Sequence, residues 1–132
     1  MRLAGRGLRT LLPDLDVLAT SPLVRACQTA EIVARVYDHA PGITRLPALK
    51  PGQPLRAVLA WLREQPPEAT VALVGHEPDL GRLISWLLSG RQTSFVQFKK
   101  GGAALLEFSH VPRAGNGTLV WLLSATQLAE FG

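Results

Sequence analysis

Two short stretches combine residue types that could grip a phosphoryl group. Val71-Ala-Leu-Val-Gly75-His76-Glu77-Pro78-Asp79-Leu80 is an apolar run of strand character that stops at a glycine, with a histidine on the turn. Pro78 then opens a helix whose Leu80, Leu83, Ile84, Leu87 and Leu88 recur on one face. In an open α/β sheet, ligands bind outside the carboxyl ends of such strands. His76 is therefore expected at a binding crevice, beside helix-start N–H groups that favour an anion. The second stretch, Ser21-Pro-Leu-Val-Arg25-Ala-Cys27-Gln28-Thr29-Ala30-Glu31, follows a short strand and puts Arg25 in the first turn of a helix. A guanidinium and an imidazole on two such turns of one parallel sheet would converge on one crevice. Arg25 could hold a phosphoryl group bidentately and His76 by hydrogen bond. The same spacing admits a plainer reading, in which Arg25 pairs with a carboxylate and His76 caps a helix.

The bulk of the chain bounds what that crevice could serve. With 132 residues, 47% of them hydrophobic, it is expected to form one domain over 1–132 around a real core rather than a disordered segment. The 14 Lys and Arg outnumber the 10 Asp and Glu, and only Lys50, Lys99 and Lys100 are lysines, a bias that suits phosphate recognition. These cations are scattered and aromatic residues make up only 6%, so no nucleic-acid partner is expected. No apolar run has the length of a membrane span and no signal peptide opens the chain, so no membrane association is expected. The single Cys27 has no partner for an internal disulfide and fits a reducing cytoplasm. His39, His76 and His110 are dispersed and offer no ligand spacing, so neither a metal nor another cofactor is expected. A monomer is the expected state.

The elements that must position the two turns follow from periodicity. Residues 1–12 read as a helix with Leu8, Leu11 and Leu12 on one face, weakened by Gly5 and Gly7. Residues 15–20 form a strand, after which Ser21 can cap and Pro22 can start a helix with Leu23, Ala26, Ala30, Val33 and Tyr37 as its buried stripe. Cys27 packs in that helix as a small apolar residue. Residues 43–49 are strand-like, and Lys50-Pro51-Gly52 turns into a helix opened by Pro54 with Leu55, Val58, Leu59 and Leu62 inward. After Gly90, residues 95–98, 103–109 and 118–123 read as antiparallel strands extending the sheet edge, with Gly115-Asn116-Gly117 as a hairpin turn. A short helix over 126–130 closes the chain. Strands alternating with helices, then a meander, give an α/β class with a mixed sheet.

Both motifs resemble those of a known superfamily. The run from Ser21 to Glu31 is similar to the S-P-x-x-R-A-x-Q-T-A signature of the histidine phosphatase superfamily, whose fold is phosphoglycerate mutase-like. Val71 to Leu80 resembles the superfamily's second histidine motif. Small size, no large helical insertion between the motifs and the late Gly115-Asn116-Gly117-Thr118-Leu119-Val120-Trp121 resemble phosphohistidine phosphatases of the SixA type. The resemblance implies a three-layer, mostly parallel mixed sheet with helices on both faces. It implies a signalling phosphatase that hydrolyses phosphohistidine on a protein, or a small phosphate monoester, through a phosphohistidine enzyme intermediate. On this chain Arg25 and His76 match phosphate-binding positions, and His76 a catalytic one. Gln28 and Thr29 match the helix supporting the arginine, Ser21 is a supporting position, and Glu77 could orient the imidazole or donate a proton. The first motif of the superfamily, an N-terminal strand ending in Arg-His-Gly that supplies the nucleophile, has no counterpart, since no Arg-His pair occurs in the sequence. Met1 to Arg6 resembles the middle of the superfamily's first helix, so the expected fold has its N-terminal strand missing. Either the start lies too far downstream or the chain is a truncation. The alternative function is a phosphate-binding remnant of the fold without a nucleophile.

Overall fold

The computed structural model describes residues 2–132. Helix α1 (Arg2–Leu11) leads into β1 (Val17–Thr20) and α2 (Val24–Val36), followed by β2 (Ile43–Arg45) and a short 3-10 turn (Pro47–Leu49). Then come α3 (Leu55–Arg63), β3 (Val71–Val74) and α4 (Asp79–Ser89), and finally β4 (Ala103–Glu107), β5 (Thr118–Leu123) and α5 (Ala125–Ala129). Three strands form a parallel sheet in the order β2-β1-β3, so the chain winds outward from β1 in both directions.

The alternation of side chains along β1 explains why helices cover both faces of the sheet. Leu18 packs with Leu15, Ala34 and Tyr37 below α1 and α2, joined by Ala72 and Val74 of β3. Ala19, one residue on, faces the other way into a cluster of Leu49, Leu55, Val58, Leu59, Leu83 and Leu87, with Leu73 beside it. One cluster is thus the α1–α2 layer and the other the α3–α4 layer, an α/β/α sandwich of the expected class.

Two local expectations change. In α1 the buried residues are Ala4, Gly5 and Gly7 rather than the leucine face, because the helix packs by close backbone approach. A Cβ on Gly5 would press on the Val36 side chain, and one on Gly7 would overlap the Leu128 carbonyl of α5. In α2 the buried stripe is Ala26, Ala30 and Ala34 leading to Tyr37, while Leu23 stays exposed. The helix starts at Val24, later than Pro22, because Ser21 still belongs to the sheet: its N–H donates to Val74 O at 2.8 Å.

The late region also departs in detail. Residues 95–98 are not a strand. The Phe95 and Val96 N–H groups donate to Ser85 Oγ, and the Phe98 N–H to the Glu77 carboxylate, so their backbone is tied to α4 instead of a ladder. β4 and β5 pair antiparallel with each other, with a bulge at Leu105/Leu106, and form a ladder separate from the parallel sheet. Gly115 and Gly117 do not make a tight hairpin. Their N–H groups donate to Leu87 O, that of Gly115 to Trp86 O as well, satisfying the open carbonyl end of α4. The outer edge of β3 therefore carries no strand among the described residues, and its Val71–Val74 are only half buried despite being wholly apolar. Among the described residues no helix is long and apolar enough to cross a membrane.

Candidate functional site

β1 and β3 are hydrogen-bonded parallel neighbours in the register Thr20↔Val74, and both point the same way. The turn after β1 leads to Arg25 in the first turn of α2, and the turn after β3 carries His76. Two sequence-identified residues 51 positions apart, 25 and 76, thus leave the same carboxyl edge of one sheet. The extra Ser21-to-Val74 bond zips the two turns together one residue past the ladder.

The side chains answer the plainer alternatives. Arg25 is exposed, and no carboxylate among the described residues forms an ion pair with it. The His76 side chain does not cap α4; its Nε2 lies 2.8 Å from Ser21 Oγ, a contact across 55 residues of sequence. Ser21 is fully buried and its hydroxyl also accepts the Leu23 N–H at 3.2 Å. The Ser21 carbonyl accepts from Thr20 Oγ1 at 3.0 Å and from the Cys27 thiol at 3.5 Å. Cys27 is therefore a donor behind the site as well as a packing residue.

Anion-binding N–H groups are distributed differently from the sequence expectation. The start of α4 beside His76 is largely occupied: Glu77 Oε1 accepts the Gly81 N–H, the Leu80 and Arg82 N–H groups reach His76 O and Pro78 O, and among the described residues the Asp79 N–H has no acceptor. The α2 N-terminus is the more open of the two, since among the described residues no acceptor meets the N–H groups of Val24, Arg25 and Ala26. An anion drawn to a helix start would sit at α2, where the dipole and the Arg25 guanidinium add.

Glu77, which could have oriented the imidazole, is turned the other way. Its two oxygens hold Gly81 and Phe98 backbone, so it ties the 95–98 segment to α4. Asp79 does a similar task on the other side: its Oδ2 accepts the Gly52 N–H at 2.8 Å and fastens the loop from Lys50 to Gln53 against the His76 turn. His76 lines a shallow cleft with Leu49, Lys50, Gln53 and Asp79, which brings the Lys50 cation to the same cleft as the imidazole. Lys50 belongs to no motif; it reaches this cleft because the 3-10 turn after β2 packs against the turn after β3, with Leu49 beside Gly75. Gln28 and Thr29 lie on α2, with Thr29 Oγ1 bonded to Arg25 O in a helix-supporting role. His39 and His110 are exposed and lie in connecting segments, after α2 and after β4. A groove of about 550 Å³ between α1 and α2 is lined by Arg2, Arg6, Arg9 and Arg35 and contains neither Arg25 nor His76. Among the described residues no group of three His, Cys, Asp or Glu side chains is placed to hold a metal ion.

No family model matches the chain. An uncharacterized protein of Picosynechococcus sp. is 38% identical over 103 residues, which are 76% of this chain and 62% of that relative; the chain thus spans less than two thirds of the relative's length. Among solved structures, the protein histidine phosphatase SixA complexed with tungstate superposes with a TM-score of 0.82 at 28% identity, over 96% of this chain and 80% of that one. A second, designated phosphohistidine phosphatase SixA and from Nakamurella multipartitia, gives 0.72 at 22% identity, over 92% of this chain and 77% of that one.

Proposed function

The chain folds as the SixA-type phosphohistidine phosphatases of the histidine phosphatase superfamily do, and from that premise we propose that it carries the phosphate-gripping half of a phosphohistidine phosphatase site. The substrate in this reading is a phosphorylated protein bearing phosphohistidine, or a small phosphate monoester. The observation that supports it is that Arg25 and His76 follow the carboxyl ends of paired parallel strands, with Arg25 exposed and, among the described residues, in no ion pair with a carboxylate. The tungstate held by the SixA relative is a tetrahedral oxyanion, the shape such a site would take.

The chemistry is two displacements at phosphorus. A histidine imidazole attacks the phosphoryl group, the P–N bond to the substrate imidazole breaks, and the leaving imidazole takes a proton. Water then attacks the phosphorylated enzyme histidine, giving inorganic phosphate and restoring the imidazole. Arg25 holds two equatorial oxygens through its planar fork, the open α2 N–H groups add their dipoles, and His76 donates a hydrogen bond to a phosphoryl oxygen. The attacking histidine is not identifiable within these 132 residues, where no Arg-His pair occurs. That fact favours a second reading in parallel: a polypeptide of these residues binds phosphate without turning it over.

Calorimetric titration with tungstate and turnover assays on a phosphohistidine substrate separate the readings. We expect the 132-residue chain to bind tungstate and to hydrolyse phosphohistidine only at background, with turnover appearing once a strand ending in Arg-His-Gly is joined to its N-terminus. In that extended chain Arg25→Ala should lower kcat/KM by the equivalent of roughly 2–4 kcal/mol, and Arg25→Lys should recover little because an ammonium lacks the fork. His76→Asn should reduce turnover more than binding. Absence of tungstate binding that depends on Arg25 would end the phosphatase reading. Full activity in the 132-residue chain would end the remnant reading.

A further inference from the structure

Ser21 stands at a junction that the phosphate contacts do not explain. It is 0% exposed, its N–H is bound to Val74 O at 2.8 Å, and its carbonyl accepts from Thr20 Oγ1 and Cys27 Sγ. The main chain is pinned on both sides, and the hydroxyl is located by its own two contacts. It accepts the Leu23 N–H at 3.2 Å and meets His76 Nε2 at 2.8 Å. No other acceptor for the Ser21 proton is present among the described residues.

That inventory discriminates between the two neutral forms of His76. A hydroxyl is one donor and up to two acceptors, and a neutral imidazole is one donor and one acceptor. If Nε2 carried the ring proton, it would donate to Ser21 Oγ, and the buried serine O–H would be left without an acceptor, a costly arrangement out of water. If Nδ1 carries it, the serine O–H donates to Nε2 while Oγ accepts from Leu23, and every buried group is satisfied. We propose that Ser21 is a positioning residue that holds His76 in its Nδ1–H tautomer, so that the ring presents Nδ1–H as a donor to the phosphoryl oxygen. Nδ1 has no hydrogen-bond partner among the described residues and is not a buried atom, so this is the ring nitrogen left for a ligand. A phosphoryl oxygen accepts and cannot donate, so the opposite tautomer would turn a lone pair toward it. The hydrogen bond to Nε2 fixes which nitrogen carries the proton, as the partner of a histidine generally does. The functional half of this inference rests on the phosphatase reading; the tautomer itself does not.

The test is a long-range proton–nitrogen correlation spectrum of the nitrogen-15-labelled 132-residue chain at about pH 8, where an ordinary imidazole is neutral. His76 resonances are identified by their loss in His76→Asn. The wild-type ring should show protonation at Nδ1; Ser21→Ala should shift it toward Nε2 or a mixture, and Ser21→Thr, which keeps the hydroxyl, should restore Nδ1. Tungstate affinity should fall roughly three- to tenfold in Ser21→Ala, the scale of one hydrogen bond, and recover in Ser21→Thr. A wild-type ring protonated at Nε2, or a tautomer indifferent to Ser21→Ala, overturns the proposal. Should the alanine variant fail to fold, the wild-type spectrum still decides. Because that spectrum needs neither phosphate nor turnover, it can fail while Arg25-dependent tungstate binding stands, and the reverse.

Discussion

Removing the Glu77 carboxylate should loosen the fold around α4 without touching a proton that the reaction needs. The carboxylate accepts the N–H of Gly81, one of the four amides that a helix start leaves open, and the N–H of Phe98 at 3.2 Å. Gly81 has no room beside it: a Cβ there would lie 3.0–3.1 Å from the Glu77 oxygens and overlap the Val96 carbonyl. The 95–98 segment is otherwise held to α4 by Ser85, so Glu77 is one of two anchors for it. A hydrogen bond to a charged group contributes about 1.5–3 kcal/mol in a protected setting, but Glu77 is exposed and water competes for both donors. A discounted total of about 1–2 kcal/mol for Glu77→Ala follows, or a fall in Tm of roughly 3–8 °C for a chain of this length. Glu77→Gln keeps one accepting oxygen and should lose about half as much. Urea and thermal unfolding of the 132-residue chain measure both. An alanine variant as stable as the parent refutes the tether. So does a fully stable Glu77→Gln that abolishes turnover in the chain carrying the Arg-His-Gly strand, since the carboxyl group would then be a proton donor.

Two further outcomes test the packing beneath the site. Gly7→Ala should destabilise by about 1–2 kcal/mol in urea unfolding, because overlap with the Leu128 carbonyl outweighs a helix-propensity gain of about 1 kcal/mol; Gly42→Ala, with nothing within 4 Å, should be neutral or slightly stabilising. Burial, aided by the Asp14 charge and opposed by Arg9, pushes the Tyr37 phenol from 10.0 up to about 12, with its hydroxyl donating to Leu12 O at 2.6 Å. A raised folded-state value means the unfolded chain gives up its proton first, so this contribution is intact below pH 10 and is lost as pH climbs toward about 12. Urea midpoints should fall across that window in the parent and much less in Tyr37→Phe; equal slopes would show that Tyr37 is not the group responsible.

What could be read ahead of the fold was whatever a single element decides. The apolar face of α4, the strand before His76 and the place of Arg25 in a first helical turn all follow from local period and punctuation, and the parallel pairing of β1 with β3 then brings the two turns together. What could not be read was which partner each polar group takes. Gly5 and Gly7 look like helix weakeners until Val36 and Leu128 are seen pressing on them. Residues 95–98 have strand character, but two N–H groups there find Ser85 and a third finds Glu77.

The same limit runs through the site. Ser21 and Glu77 both resemble helix-start residues in one dimension, with nothing in their neighbours to say which backbone amide each serves. In space they exchange expected parts: Ser21 reaches 55 residues along the chain to the imidazole, and Glu77, adjacent to that imidazole, turns away to hold Phe98. The exchange has a consequence for the anion. With Glu77 taking the Gly81 N–H at the start of α4, most of the open N–H groups among the described residues are those of α2, the helix whose first turn carries Arg25. In the proposed site an anion would meet the Arg25 guanidinium and the α2 N–H groups together, and His76 would add direction through one donor, which is the role a single fixed tautomer suits.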